Sequence, residues 1–289
     1  MMRRIEAGTF LMGSDCFCVE EAPSRQVSLP AFWMDTHEVT NTDFALFVMA
    51  TGYVTLAERP LDPAEFPGAP PDLLHPGGLV FQPSPGPIDL HDVRQWWRYT
   101  PRACWRRPDG PDRSLDGWES HPVVQVAYED AEAYAHWAGK RLPSEAEWEF
   151  AARGGLEGAI FAWGDDMAPG VRWMANTWQG AFPLEDLASD GYAGRAPVGA
   201  FPPNGYGLYD MTGNVWEWTT DDYAAHAAAT SPCCTGYLSD RRQAPAPKVI
   251  KGGSYLCAPN YCIRYRPAAR QPQSRDTATC HIGFRCARS

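Results

Sequence analysis

No stretch of this chain runs far without a backbone breaker: 26 glycines and 27 prolines are spread over 289 residues. Proline fixes φ and removes a donor, and glycine is costly to order, so long helices and long strands are excluded. The 12 tryptophans pull the other way, because each supplies a large face that needs burial. The chain must therefore fold as an ordered, loop-rich molecule of mixed α/β class with low regular secondary structure. Its backbone groups must find partners in turns, side chains or bound ions.

The net charge of −10 argues against nucleic acid as a partner, since that affinity rests on neutralising phosphates. No run approaches the ~20 apolar residues of a membrane helix. No sustained apolar stretch follows Arg3 and Arg4, so no secretory signal is read. No composition break divides the chain, and residues 1–289 are taken as one domain.

Local signals place a few elements. Residues 5–13 and Gln26–Trp33 read as strands, the second interrupted by Pro30. Thr40 caps a helix that Gly52 ends. His121–Val126 reads as a short buried strand, followed by a helix over Tyr128–Ala138. Ser144 and Glu147 form a capping box for a helix closed by Gly154. Lys248–Lys251 and Gly283–Cys286 are further strand candidates. Pro60–Pro111 is dense in breakers yet holds Trp96, Trp97 and Trp105, which a solvated linker would lack. It reads as an ordered surface excursion, long enough to be a functional loop.

The 9 cysteines have no C-x-x-C spacing and do not describe a secreted disulfide framework. Cys16 and Cys18, and the vicinal Cys233 and Cys234, read as ordinary reduced thiols or as redox-labile pairs. Cys257 and Cys262 differ. Pro259 breaks any helix between them, so a tight loop can turn both sulfurs to one point. Two thiolates with no neighbouring His or carboxylate form a soft ligand pair, suited to Cu(I), or to zinc if more thiolates join. Arg264 and Arg266 would help lower the thiol pKa values. Spacing alone leaves a buried or disulfide-linked structural pair equally open. Two oxygen-rich segments, Asn176–Gly180 with Asp190–Tyr192, and Asp210–Trp218, offer what calcium wants. On residue chemistry alone, turn capping by Asn and Asp is the simpler reading.

Taken together, these segments resemble the formylglycine-generating enzymes, or sulfatase-modifying factors. The resemblance runs from GTFLMG at 8–13 to GFRC at 283–286. It rests on WAGKRLPSEAEWEF (137–150), ANTWQG (175–180), PNGYGLYDM (203–211), GNVWEW (213–218) and KGGSYLC (251–257). It implies a C-type-lectin-like fold, a monomer, and a copper-dependent oxidase. Cu(I) would be held linearly by Cys257 and Cys262, with Ser254, Tyr261, Arg264 and Trp216 around it. A cysteine in a Cys-x-Pro-x-Arg segment of an unfolded sulfatase would add as a third thiolate. O2 would then convert it, through a thioaldehyde, to Cα-formylglycine.

The same resemblance implies two calcium ions. One would use the side chains of Asn176 and Asp190 with the carbonyls of Thr177 and Tyr192. The other would use the side chains of Asp210 and Glu217 with the carbonyls of Gly213 and Val215. Glu58 matches an acidic position for the substrate arginine. Secretory relatives carry structural cysteines where this chain has Ala135, Ala152 and Pro267, which points to a reducing cytoplasm. The competing readings are a non-catalytic peptide- or ligand-binding paralogue, an iron oxygenase, for which the scattered histidines are poorly suited, and a plain thiol–disulfide oxidoreductase.

Overall fold

The computed structural model describes residues 1–65, 67–224 and 246–289, so Cys233 and Cys234 lie outside the described residues. In chain order the strands are β1 (Met2–Ile5), β2 (Gly8–Met12), β3 (Arg25–Leu29), β4 (Phe32–Asp35), β5 (Gly77–Phe81), β6 (Trp97–Pro101), β7 (Trp216–Asp222), β8 (Lys248–Lys251), β9 (Arg270–Gln273), β10 (Ile282–Gly283) and β11 (Ala287–Arg288). The helices are α1 (Asn41–Thr51), α2 (Tyr128–Trp137) and α3 (Glu145–Arg153). One sheet has the order β1-β4-β11 and another the order β10-β7-β8-β9, while β2-β3 and β5-β6 form separate pairs. This is the mixed α/β, low-regularity architecture that the breaker density demands. No helix among the described residues is long and apolar enough to cross a membrane.

The helices begin and end where local chemistry dictates. Thr40 Oγ1 accepts the Asp43 N–H, and Asp43 answers on the Thr40 N–H, closing a capping box. Gly52 then takes a left-handed conformation with φ 69°, which suits glycine. Ser144 and Glu147 make the same exchange ahead of α3, with Gly154 at φ 57° behind it.

Strands were harder to read. Residues 5–13 split into the end of β1 and β2, and Gln26–Trp33 splits at Pro30 into β3 and β4. His121–Val126 is buried but is no strand. Only Pro122 bridges Thr40, and the backbone otherwise hydrogen-bonds to scattered loops, such as Val123 N–H to Val39 O and Gln125 N–H to Thr279 O. Gln125 has φ 58°, a conformation that no strand tolerates. Near the C-terminus, β10 and β11 flank Phe284 rather than running through Cys286.

The excursion from Pro60 folds back as the β5-β6 pair and docks by backbone bonds, Leu79 N–H to Ala278 O and Cys280 N–H to Leu79 O. Its tryptophans are its anchors. Trp105 packs edge-on to Phe44 with ring centroids 5.2 Å apart, in the cluster that also holds Tyr134, Trp216, Phe284 and Cys257. Trp96 joins a second cluster with Trp178, Phe182, Tyr255 and Leu256, against which Phe81, Trp97 and Tyr261 pack. The excursion thus forms one side of the loop that carries the two candidate cysteines.

Candidate active site

Strand β8 ends at Lys251 and hands the chain to Gly252 and Gly253, with φ 96° and 72°. A side chain at Gly253 would put a Cβ 2.8 Å from the backbone of Arg264. Glycine there lets the loop close on its own return limb. Inside the loop, Cys257 N–H donates to Ser254 O at 2.9 Å, and Cys262 N–H donates to Ala258 O at 2.8 Å. Ser254 Oγ accepts the Leu256 N–H at 3.3 Å. Two successive turns, the second holding Pro259, bring the two sulfurs to 3.3 Å. That exceeds the ~2.05 Å of a disulfide bond, so the pair is in contact without being joined.

Cys257 is buried, at 2% exposure, while Cys262 is only partly covered. The loop is fixed from outside as well. Trp178 N–H donates to Cys257 O at 3.1 Å. Tyr261 stacks on Phe182 with ring centroids 4.6 Å apart and meets Trp96 edge-on at 5.5 Å. Trp216 is buried in the same apolar cluster as Cys257. Ser254, Tyr261 and Trp216 are therefore all built into the walls or turns of the thiol loop.

Arg264 is shared between the thiol loop and the N-terminal hairpin. Its Nη1 lies 3.9 Å from Cys262 Sγ, while its Nη2 is bound by the buried carboxylate of Glu20. Burial pushes the Cys257 thiol well above its ordinary range, and the adjacent Cys262 sulfur adds to the rise. Arg264 opposes this and is outweighed. Arg266 is held by Glu21, with Cys18 Sγ 4.0 Å from its Nη2. A soft cation would bind here by displacing protons.

The donor set fits such a cation: two sulfurs converge, one is shielded, and no hard ligand intrudes. Among the described residues no three His, Cys, Asp or Glu side chains gather elsewhere to hold a metal.

Residues of the first calcium set are tied together through Asp190. Asp190 accepts from Thr177 N–H at 3.1 Å and from Tyr192 N–H at 3.0 Å. The Gln179 amide donates to Asp190 Oδ2 at 2.8 Å and also to the Thr177 carbonyl. One donor nitrogen thus sits between two of the expected ligand oxygens. Asn176 Oδ1 is buried with no partner among the described residues. These oxygens fit a hard cation.

At the second set the two carboxylates are engaged by protein donors. Both Glu217 oxygens are taken by Arg285, each at 2.7 Å, and Trp148 Nε1 adds a bond at 2.8 Å. Arg285 thus stands beside the carboxylate that the resemblance assigns to the second calcium. Asp210 Oδ2 accepts the Gly199 N–H at 2.6 Å, and burial pushes its carboxyl up to about 6. Gly213 and Val215 are placed by packing: a Cβ at Gly213 would stand 2.4 Å from Asn176 O, and Val215 is buried. Glu58 has local partners. It closes the box on Thr55, with Thr55 Oγ1 at 2.7 Å, and faces Arg106 at 3.6 Å.

Sequence reasoning missed the clamp made by Glu20 and Glu21, whose partners lie about 245 residues away. Their only local signal is two adjacent acids beside Pro23. It also left Cys280 without a place. Its sulfur accepts the Phe81 N–H at 3.2 Å and lies 3.7 Å from the Tyr255 hydroxyl, beneath the thiol loop.

A family profile for the sulfatase-modifying factor enzyme 1-like domain matches residues 1–289. A protein of Mycobacterium tuberculosis named formylglycine-generating enzyme is 56% identical over 286 residues, 98% of this chain and 95% of its own. One of the same name from Thermomonospora curvata is 45% identical over 295 residues, 99% and 92% of the two chains. Among solved structures, PvdO from Pseudomonas aeruginosa is similar with a TM-score of 0.65 at 26% identity, covering 100% of this chain and 94% of that one. With its thiol loop in place and the profile spanning its whole length, this chain belongs to the sulfatase-modifying factor enzyme 1-like family.

Proposed function

We propose that this chain uses O2, a small thiol reductant and one copper ion to convert a cysteine of an unfolded sulfatase, in a Cys-x-Pro-x-Arg segment, into Cα-formylglycine. The observation that carries the proposal is the 3.3 Å approach of Cys257 Sγ and Cys262 Sγ, one shielded and one at the surface. The names of the relatives at 56% and 45% identity support the same reaction. Copper bound by Cys257 and Cys262 would supply a soft, electron-rich centre able to pass electrons to O2. The protein's own groups do the rest. Cys257 anchors from the dry side, held by Trp178 and Ser254. Cys262 faces the side from which a client thiol arrives. Arg264 keeps positive charge beside Cys262 and favours anionic sulfur there. Trp216 and its apolar neighbours keep water from the buried sulfur. The first oxygen cluster, with calcium, would stiffen the segment that carries Trp178.

The test is mass spectrometry of a Cys-x-Pro-x-Arg peptide incubated with copper-loaded protein, a thiol reductant and air. Loss of ~18 Da at the cysteine is expected, because CH2SH becomes CHO on oxidation of the carbon. Cys262→Ser should abolish that loss while leaving the melting curve intact. A 3.3 Å dithiol also suits plain thiol–disulfide exchange. If the peptide only forms disulfides, or if Cys262→Ser still converts it, the oxidase reading is wrong.

A further inference from the structure

A cavity of about 250 Å³ opens beside the thiol loop, lined among others by Met167, Trp173, Trp178, Gln179, Pro259 and Asn260. Pro259 and Asn260 are two of the four residues between the two cysteines, so the loop that holds the sulfurs is also a wall of this cavity. Both are exposed, and Tyr261, Cys262 and Ile263 after them are partly exposed. Residues 259–263 thus make one continuous surface stretch, with the reachable sulfur near one end and the cavity near the other. Met167, Cys262 and Ile263 all pack against the same apolar cluster. The lining is mainly aromatic and aliphatic. Its polar fringe is Thr177 with the Gln179 and Asn260 amides, and the Gln179 amide is already held by Thr177 and Asp190.

The geometry points to a binding subsite for the client chain: the Met167–Trp173–Trp178–Pro259 cavity takes an apolar side chain lying within a few residues of the client's reactive cysteine. The occupant follows from continuity. A polypeptide that presents a thiol to Cys262 and follows the exposed stretch 259–263 crosses this cavity. The inference rests on the functional reading above for the identity of the client, though the cavity's preference can be measured without turnover. Its walls are preorganised, by Trp178 N–H on Cys257 O at 3.1 Å and by the Asp190 network. A side chain seated there therefore orders the client rather than the enzyme.

The test uses short synthetic peptides around a Cys-x-Pro-x-Arg segment. Each non-cysteine position in turn carries Leu, Ala or Asp. Binding of cysteine-to-alanine versions is followed by tryptophan fluorescence, and turnover of the cysteine versions is measured in parallel. One position should show a loss of roughly tenfold or more from the apolar residue to Asp. That loss should shrink severalfold in Trp173→Ala, and in Met167→Gln should the first variant fold poorly. Retention of the same preference in folded variants overturns the subsite, as does equal binding of all peptides or none at all. Selective binding without any conversion of the cysteine peptides leaves the subsite standing and overturns the functional reading instead.

Discussion

Glu21 and Arg266 offer the sharpest energetic test of how the thiol loop is held. Their side chains are 0% and 1% exposed. The carboxylate takes Arg266 Nη1 at 2.8 Å, and Nη2 closes the fork. The Phe17 ring lies 3.9 Å from the same guanidinium. Arg266 stands four residues after Cys262, so this pair fastens the N-terminal hairpin to the return limb of the loop. In Glu21→Leu the guanidinium stays buried without its partner, which costs about 3–5 kcal/mol. Against a net stability of roughly 5–15 kcal/mol that is a large fraction. At ~2 °C per kcal/mol for a chain of this size, the melting temperature should fall by about 6–10 °C. The double variant Glu21→Leu, Arg266→Met removes both charges and should regain most of the loss, since well-packed apolar replacements of buried pairs are often neutral. Urea unfolding followed by tryptophan fluorescence measures all three proteins. The reasoning fails if the single variant loses less than ~1 kcal/mol, the range of a solvated surface pair, or if the double variant is worse than the single.

Two further outcomes follow from buried groups. Burial, aided by the Arg195 charge, holds the His281 imidazole down at about 3. The folded protein therefore refuses a proton that the unfolded chain accepts below ~6.5, so stability is full above that value and falls as pH drops toward 3. His281→Gln should flatten this slope in urea midpoints taken from pH 7 to 4.5; an unchanged slope contradicts it. Calcium should raise the melting temperature through the Asn176, Thr177, Asp190 and Tyr192 oxygens, and a chelator should reverse the gain. Asn176→Ala should lose the calcium dependence, and a dependence that persists places the ion elsewhere.

What was legible in the sequence was local. The capping boxes at Thr40 and Ser144 fix the starts of α1 and α3 because donor and acceptor lie three residues apart. The thiol loop was legible for the same reason: Gly253, Pro259 and the spacing of Cys257 and Cys262 define one turn system. Strand limits were not, because pairs such as β1-β4 and β7-β8 owe their bounds to partners distant in sequence. The charge network was hidden too. Nothing near Glu217 announces Arg285, 68 residues on, so the guanidinium beside this oxygen-rich segment could not be read from the sequence. Arg264 looked like an activator of thiols from its position beside Cys262. Its restraint by Glu20, and the dominance of burial at Cys257, come from tertiary packing.

The central claim is that Cys257 and Cys262 act as a pair toward a soft metal. Titration of reduced protein with Cu(I) against a competing chelator tests it most directly. The account predicts one tightly held copper per chain, lost in both Cys257→Ser and Cys262→Ser while the fold persists. Copper retained with undiminished affinity in either variant would contradict it.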